Sequence, residues 1–188
     1  ALPAPPSLNQ GAACASACGI GAPSTETREM KILLVYDSVF GNTEKVAHAI
    51  ADGLRGKGLV ELIRPDGASP ERLAGVDLLV VGSPTRGFRP TEGLTALLKG
   101  LRPGALQGVR VAAFDTRILA SDIKQAALRF MVNVGGYAAA KIADRLSKAG
   151  AALVAPPEGF YVEDTEGPLK PGELERATAW GAKLASAA

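Results

Sequence analysis

No cysteine lies beyond residue 18 of this 188-residue chain. The two that are present, Cys14 and Cys18, form a C-x3-C pair with no second pair and no neighbouring His. Neither a disulfide framework nor a metal site follows from them, and a cytoplasmic location is the default expectation. An excess of one charge is missing too: 21 Lys and Arg against 19 Asp and Glu leave a net charge of +2. No basic run or aromatic-studded basic strip appears, so nucleic acid is not expected as a partner. No apolar run approaches the length that spans a bilayer. There is a single histidine, His48, and no G-x-S-x-G around Ser83, which leaves little room for a hydrolase triad. His48 is expected on the exposed side of a helix. A phosphoacceptor receiver domain would need an acid at the end of its third strand, where Gly82-Ser83 stands.

What is present is a globular balance, 47% apolar and 21% charged, in a chain long enough for one well-buried domain. Residues 1–29 are rich in Ala, Pro, Gly, Ser and Thr with no periodicity, and read as a disordered leader or linker. They have neither the basic start nor the apolar core of a secretory signal. Met30-Lys31 reads as an alternative translation start, opening a domain over 30–188. Within it, apolar runs at Ile32–Val35, Leu59–Ile63, Val76–Val81, Gly108–Phe114 and Ala152–Ala155 alternate with helical patterns. Phe160–Val162 continues the last run after a Pro-Pro break. Helices are expected after Gly41, from Ser69-Pro70 to Gly75, from Thr91, from Ser121, over Tyr137–Lys148, and from Pro171, with Trp180 in the core. Continuous apolar strands separated by helices imply βαβ units and a parallel sheet. Five strands suit the doubly wound order 2-1-3-4-5, which leaves a crevice at the carboxyl ends of strands 1 and 3.

Three loops would surround that crevice. The first, Ser38-Val39-Phe40-Gly41-Asn42-Thr43, joins strand 1 to a helix whose inner stripe is Val46, Ala47, Ile50, Ala51 and Leu54. It lacks the Gly-Lys pair of a nucleoside-triphosphate loop and the three glycines of a dinucleotide fingerprint. It offers hydroxyls, an amide, a glycine and unpaired N–H groups at a helix N-terminus, where a phosphate fits. An ordinary turn capped by Asn42 or Thr43 would account for the same letters. The second loop is Ser83-Pro84-Thr85-Arg86-Gly87-Phe88, and the third is Asp115-Thr116-Arg117.

The first loop resembles the flavodoxin signature [ST]-x-T-G-x-T, with Ser38, Gly41 and Thr43 matching and Phe40 in place of the usual Thr. The second resembles the segment that wraps the isoalloxazine ring in flavodoxins and flavodoxin-like quinone reductases. The resemblance spans about residues 30–187 and implies a flavodoxin-like fold binding one FMN without a covalent bond. On that basis the phosphate would sit on the first loop. The ring would lie between the second and third loops, with Gly87 allowing close backbone approach and Phe88 stacking on a face. Thr116 would bond the pyrimidine edge. Arg117 would lie near the ring, or would instead pair with Asp115. The third loop lacks the usual aromatic, and the chain lacks the usual acidity of the family. The activity implied is electron carriage to a redox partner protein, with no catalytic side chain, by a monomer or a dimer. An FMN-dependent NAD(P)H or quinone oxidoreductase and a flavin-free interaction module are the alternatives.

Overall fold

Apolar runs with few polar interruptions bury both faces of a strand, and here they build a parallel sheet. The computed structural model describes Ala1, residues 29–122 and residues 136–187. In chain order the elements are β1 (Met30–Tyr36), α1 (Asn42–Leu54), β2 (Gly58–Ile63), α2 (Pro70–Ala74), β3 (Leu78–Pro84), α3 (Glu92–Gly100), β4 (Arg110–Ile118), α4 (Ala138–Lys148), β5 (Ala152–Leu153), β6 (Glu158–Val162) and α5 (Glu173–Ala187). The sheet runs β2-β1-β3-β4-β5, and all of its pairings are parallel. The expected order 2-1-3-4-5 is therefore the observed one. The Pro-Pro break splits the last strand in two. β5 pairs with the start of β4, and β6 with its end, Phe114 to Ile118.

Alternation along each strand feeds two cores. Ile32, Leu34 and Val80 face α1 and α5, whereas Leu33, Val35, Leu79 and Val81 face α3 and α4. Trp180 packs edge-to-face on Phe114 and Phe160 in the first core. His48 is exposed, with its ring 6.3 Å from that of Tyr36. Gly75 ends α2 as expected. The helix expected from Ser121 is a 3-10 turn over Ala120–Asp122 as far as the described residues reach. Its remainder lies outside them, as do Cys14, Cys18 and nearly all of the expected leader. No helix among the described residues is long and apolar enough to cross a membrane.

α1 and α5 touch backbone to backbone. A Cβ on Gly53 would overlap the carbonyl of Thr178, and one on Gly181 would overlap that of Ile50. Alanine at either position adds about 1 kcal/mol of helix propensity, but the overlap forces the helices apart. Gly53→Ala and Gly181→Ala are each expected to destabilise the fold by about 1–3 kcal/mol net. Urea unfolding reads this, and an unchanged or higher midpoint would refute it.

Candidate functional site

The sheet's direction of travel reverses between β1 and β3, and their carboxyl ends diverge into a crevice. A cavity of about 310 Å3 opens there. Val39, Phe40, Asn42 and Thr43 form one wall, and Pro84, Thr85, Arg86 and Gly87 a second. Thr116 and Arg117 form a third, and Ile118, Val162 and Thr165 complete it. Those last three carried no signal in the sequence. Ser38, Gly41, Ser83, Phe88 and Asp115 are not in the wall; each shapes it from behind.

Gly41, not Asn42 or Thr43, is the N-cap of α1. It sits in the left-handed region at φ 81° and has no side chain with which to cap the helix. Both expected capping side chains are committed elsewhere. Asn42 Nδ2 donates to the Glu166 carbonyl at 2.9 Å, and Thr43 Oγ1 shares a 2.8 Å hydrogen bond with Thr116 Oγ1. The backbone N–H groups of residues 39–43 consequently find no acceptor among the described residues. Five consecutive donors at the positive end of a 13-residue helix form an anion cradle. Ser38 Oγ accepts from the Glu44 N–H at 3.4 Å.

Arg64, at the end of β2, braces this loop from below. Its guanidinium donates to the Ser38 carbonyl at 3.3 Å and to Glu44 Oε2 at 3.1 Å, and lies 4.6 Å from the Tyr36 ring centroid. The Glu166–Lys170 segment closes over the same loop. A Cβ on Gly167 would overlap the Asn42 amide, and Lys170 pairs with Asp122.

Near the end of β3, Ser83 is fully buried. Its hydroxyl accepts from the Thr91 N–H at 3.0 Å and donates to the Pro84 carbonyl at 3.1 Å, so it sets the start of α3. Arg86 and Arg89 exchange two backbone hydrogen bonds at 3.0 Å. Between them Gly87 and Phe88 have φ 51° and 66°, a tight turn with both central residues left-handed. Such a conformation costs an aromatic residue about 1–3 kcal/mol. Lys141 Nζ helps hold it, donating to the Phe88 carbonyl at 2.6 Å. Phe40, not Phe88, is the aromatic in the cavity wall, and the Arg86 guanidinium lies 5.5 Å from its centroid.

Asp115 is fully buried and pairs with Arg117 Nε. Its Oδ2 accepts from Thr85 Oγ1 at 3.0 Å and from the Ala139 N–H at 2.8 Å, while Thr85 Oγ1 accepts from the Ala138 N–H at 2.9 Å. Thr85, just past β3, and Asp115, inside β4, thus cap α4 from outside the helix. The strands run further than expected. Ser83 lies in β3, and Asp115, Thr116 and Arg117 lie in β4 rather than in a loop, because β6 pairs with these three. Burial pushes the Asp115 carboxyl above its ordinary pKa; Arg117 and the two hydrogen bonds pull the other way and lose. Arg117 stacks 3.8 Å from the Tyr137 centroid. A Cβ on Gly159 would overlap its guanidinium. It therefore adopts the pairing with Asp115 and still presents one side to the cavity.

The flavodoxin family model matches residues 34–116, a little under half of the chain. Diflavin flavoprotein A 5 of Nostoc sp., as that protein is described, is 43% identical over 76 residues, covering 37% of this chain. The match spans only 13% of that protein's length. Among solved structures, oxidised flavodoxin 2 from Bacillus cereus is 26% identical, with a TM-score of 0.65, over 83% of this chain and 98% of that one. Rubredoxin oxygen:oxidoreductase from Desulfovibrio gigas shares the fold at a TM-score of 0.62 and 20% identity, over 84% of this chain and 35% of its own. The sheet order and the solved neighbours give the chain a flavodoxin-like fold, and its residues 34–116 match the flavodoxin family model.

Proposed function

We propose that the domain binds one FMN in the cavity between the three segments and passes electrons to a redox partner protein. The observation that carries this reading is the set of five unpaired N–H donors at residues 39–43, beside a cavity of about 310 Å3 at the topological switch point. A dianionic phosphate ester fits such a cradle without a Lys or Arg contact. The remaining walls suit a flat ring. Arg86 offers a polar group on one side, Thr116 and Arg117 on the other, with Val39 and Phe40 at the mouth. Flavin, once bound, supplies the redox chemistry; the protein contributes position and electrostatics. The relatives described as flavoproteins support the cofactor class. A cytoplasmic location belongs to the same reading.

The test is a visible absorption spectrum of freshly purified protein, then FMN titration of the apo fraction. Flavin bands or tight quenching are expected. Thr43→Ala removes a hydroxyl beside the cradle and should weaken FMN by about 10- to 100-fold, the worth of one hydrogen bond to a charged group. No flavin and no FMN binding would defeat the proposal. NADPH oxidation with a quinone acceptor would move the assignment from carrier to reductase.

A further inference from the structure

Charge is unevenly placed around the cavity. Arg86, at the mouth, also borders a second depression with Arg89 and Lys99. Arg89 and Lys99 in turn border a third, which ends on Lys141 and Arg145. The shared residues make one shallow trough, leading from the cofactor cavity across the surface between α3 and α4. All five cations are exposed. Among the described residues none of them has a carboxylate partner; Lys141 donates to a carbonyl, and Arg86 lies over Phe40. Three carboxylates border the trough. Asp37 is held by Arg64 and Asp144 by Lys148, which leaves Glu92. At the head of the trough Val39 and Phe40 are 45% and 43% exposed, a large fraction for apolar side chains. An apolar centre with a charged flank is how specific transient interfaces are built.

We propose that this trough is the docking face for an acidic redox protein. Its carboxylates would lie along the five cations, and its own cofactor edge would rest over Val39 and Phe40. The proposal rests on the carrier reading above. It also commits to a sign: five cations against one uncompensated carboxylate attract an acidic partner, steer its approach and repel a basic one. Apart from Phe40 at its head, the trough is lined by no aromatic side chain among the described residues on which single-stranded nucleic acid could stack, so an acidic protein is the occupant the surface favours.

The probes are a plant-type ferredoxin, which is acidic, and cytochrome c, which is basic. Binding to the full chain is followed by NMR titration, with flavin content read separately from the visible spectrum. Ferredoxin is expected to bind more tightly than cytochrome c, and to weaken about tenfold between about 20 and 200 mM NaCl as screening sets in. The triple variant Arg89→Gln/Lys99→Gln/Arg145→Gln changes only exposed side chains outside the cofactor cavity. It should weaken ferredoxin about tenfold at low salt, with flavin content and thermal midpoint unchanged. Lys57→Gln, beside the opposite end of the sheet, should change nothing. Equal affinity for the two probes, an unaffected triple variant, or tighter binding of a single-stranded oligonucleotide would overturn the proposal. Ferredoxin docking to a chain that takes up no FMN would instead overturn the carrier reading and leave the docking face standing.

Discussion

Replacing Gly41 with valine is expected to weaken FMN binding by at least about 100-fold while the domain stays folded. Gly41 holds φ 81°, where an L-residue pays about 1–2 kcal/mol and a β-branched one more. Nothing lies within 4 Å of a Cβ built at this position, so the substitution meets no buried neighbour and the core is not disturbed. The strain is relieved by letting the loop turn back toward negative φ. That rotation swings the N–H groups of residues 39–43 out of convergence, and breaking each charge-assisted hydrogen bond to the phosphate costs about 1.5–3 kcal/mol. Two broken bonds suffice for the stated weakening. Gly41→Ala should fall between wild type and valine. Fluorescence titration measures both, and far-UV circular dichroism monitors the fold. Near-wild-type affinity for Gly41→Val would show that the cradle does not hold the phosphate.

The sheet was legible in the letters because its signal is local and redundant. Ile32–Val35 and Leu78–Val81 are unbroken apolar runs, and each precedes a polar loop and a helix. The loops at their carboxyl ends were legible for the same reason, since topology alone brings them together. What escaped was partnership at long sequence separation. Arg64 follows β2 with no motif around it, yet it braces Ser38 and Glu44. Asn42 and Thr43 resemble capping residues locally, but their side chains are taken by Glu166 and Thr116, 124 and 73 residues away. Ser83 stands in β3 and Phe88 in the second loop, and the backbone directs both away from the cavity. Ser83 serves α3, and Phe88 occupies a left-handed turn whose strain no composition rule reports. Val162 and Thr165 reach the cavity only because β6 pairs with the end of β4.

Arg117→Ala is expected to cost about 3–5 kcal/mol of folding stability at neutral pH, the usual consequence of leaving a buried charge without its partner. Asp115 is fully buried and Arg117 14% exposed, so solvent cannot replace the guanidinium. The pH dependence has a definite sign. The folded-state pKa of Asp115 is raised, burial being the largest cause. The group's contribution is therefore fully present below its unfolded value of about 4 and is lost as pH rises through the folded value. Removing Arg117 deletes the main influence opposing that rise, so the folded pKa climbs further and the window of falling stability extends upward. Urea unfolding at a series of pH values should show Arg117→Ala closest to wild type in mild acid and farthest from it at neutrality. Asp115→Asn/Arg117→Ala keeps the acceptor for the Ala139 N–H but has no charge to bury. It should regain part of the loss and flatten the pH profile. Arg117→Lys should sit between, because an ammonium keeps the charge and gives up the stack on Tyr137. A pH-independent deficit in Arg117→Ala, persisting in the double variant, would assign the loss to packing against Gly159 and Tyr137 and remove the electrostatic account.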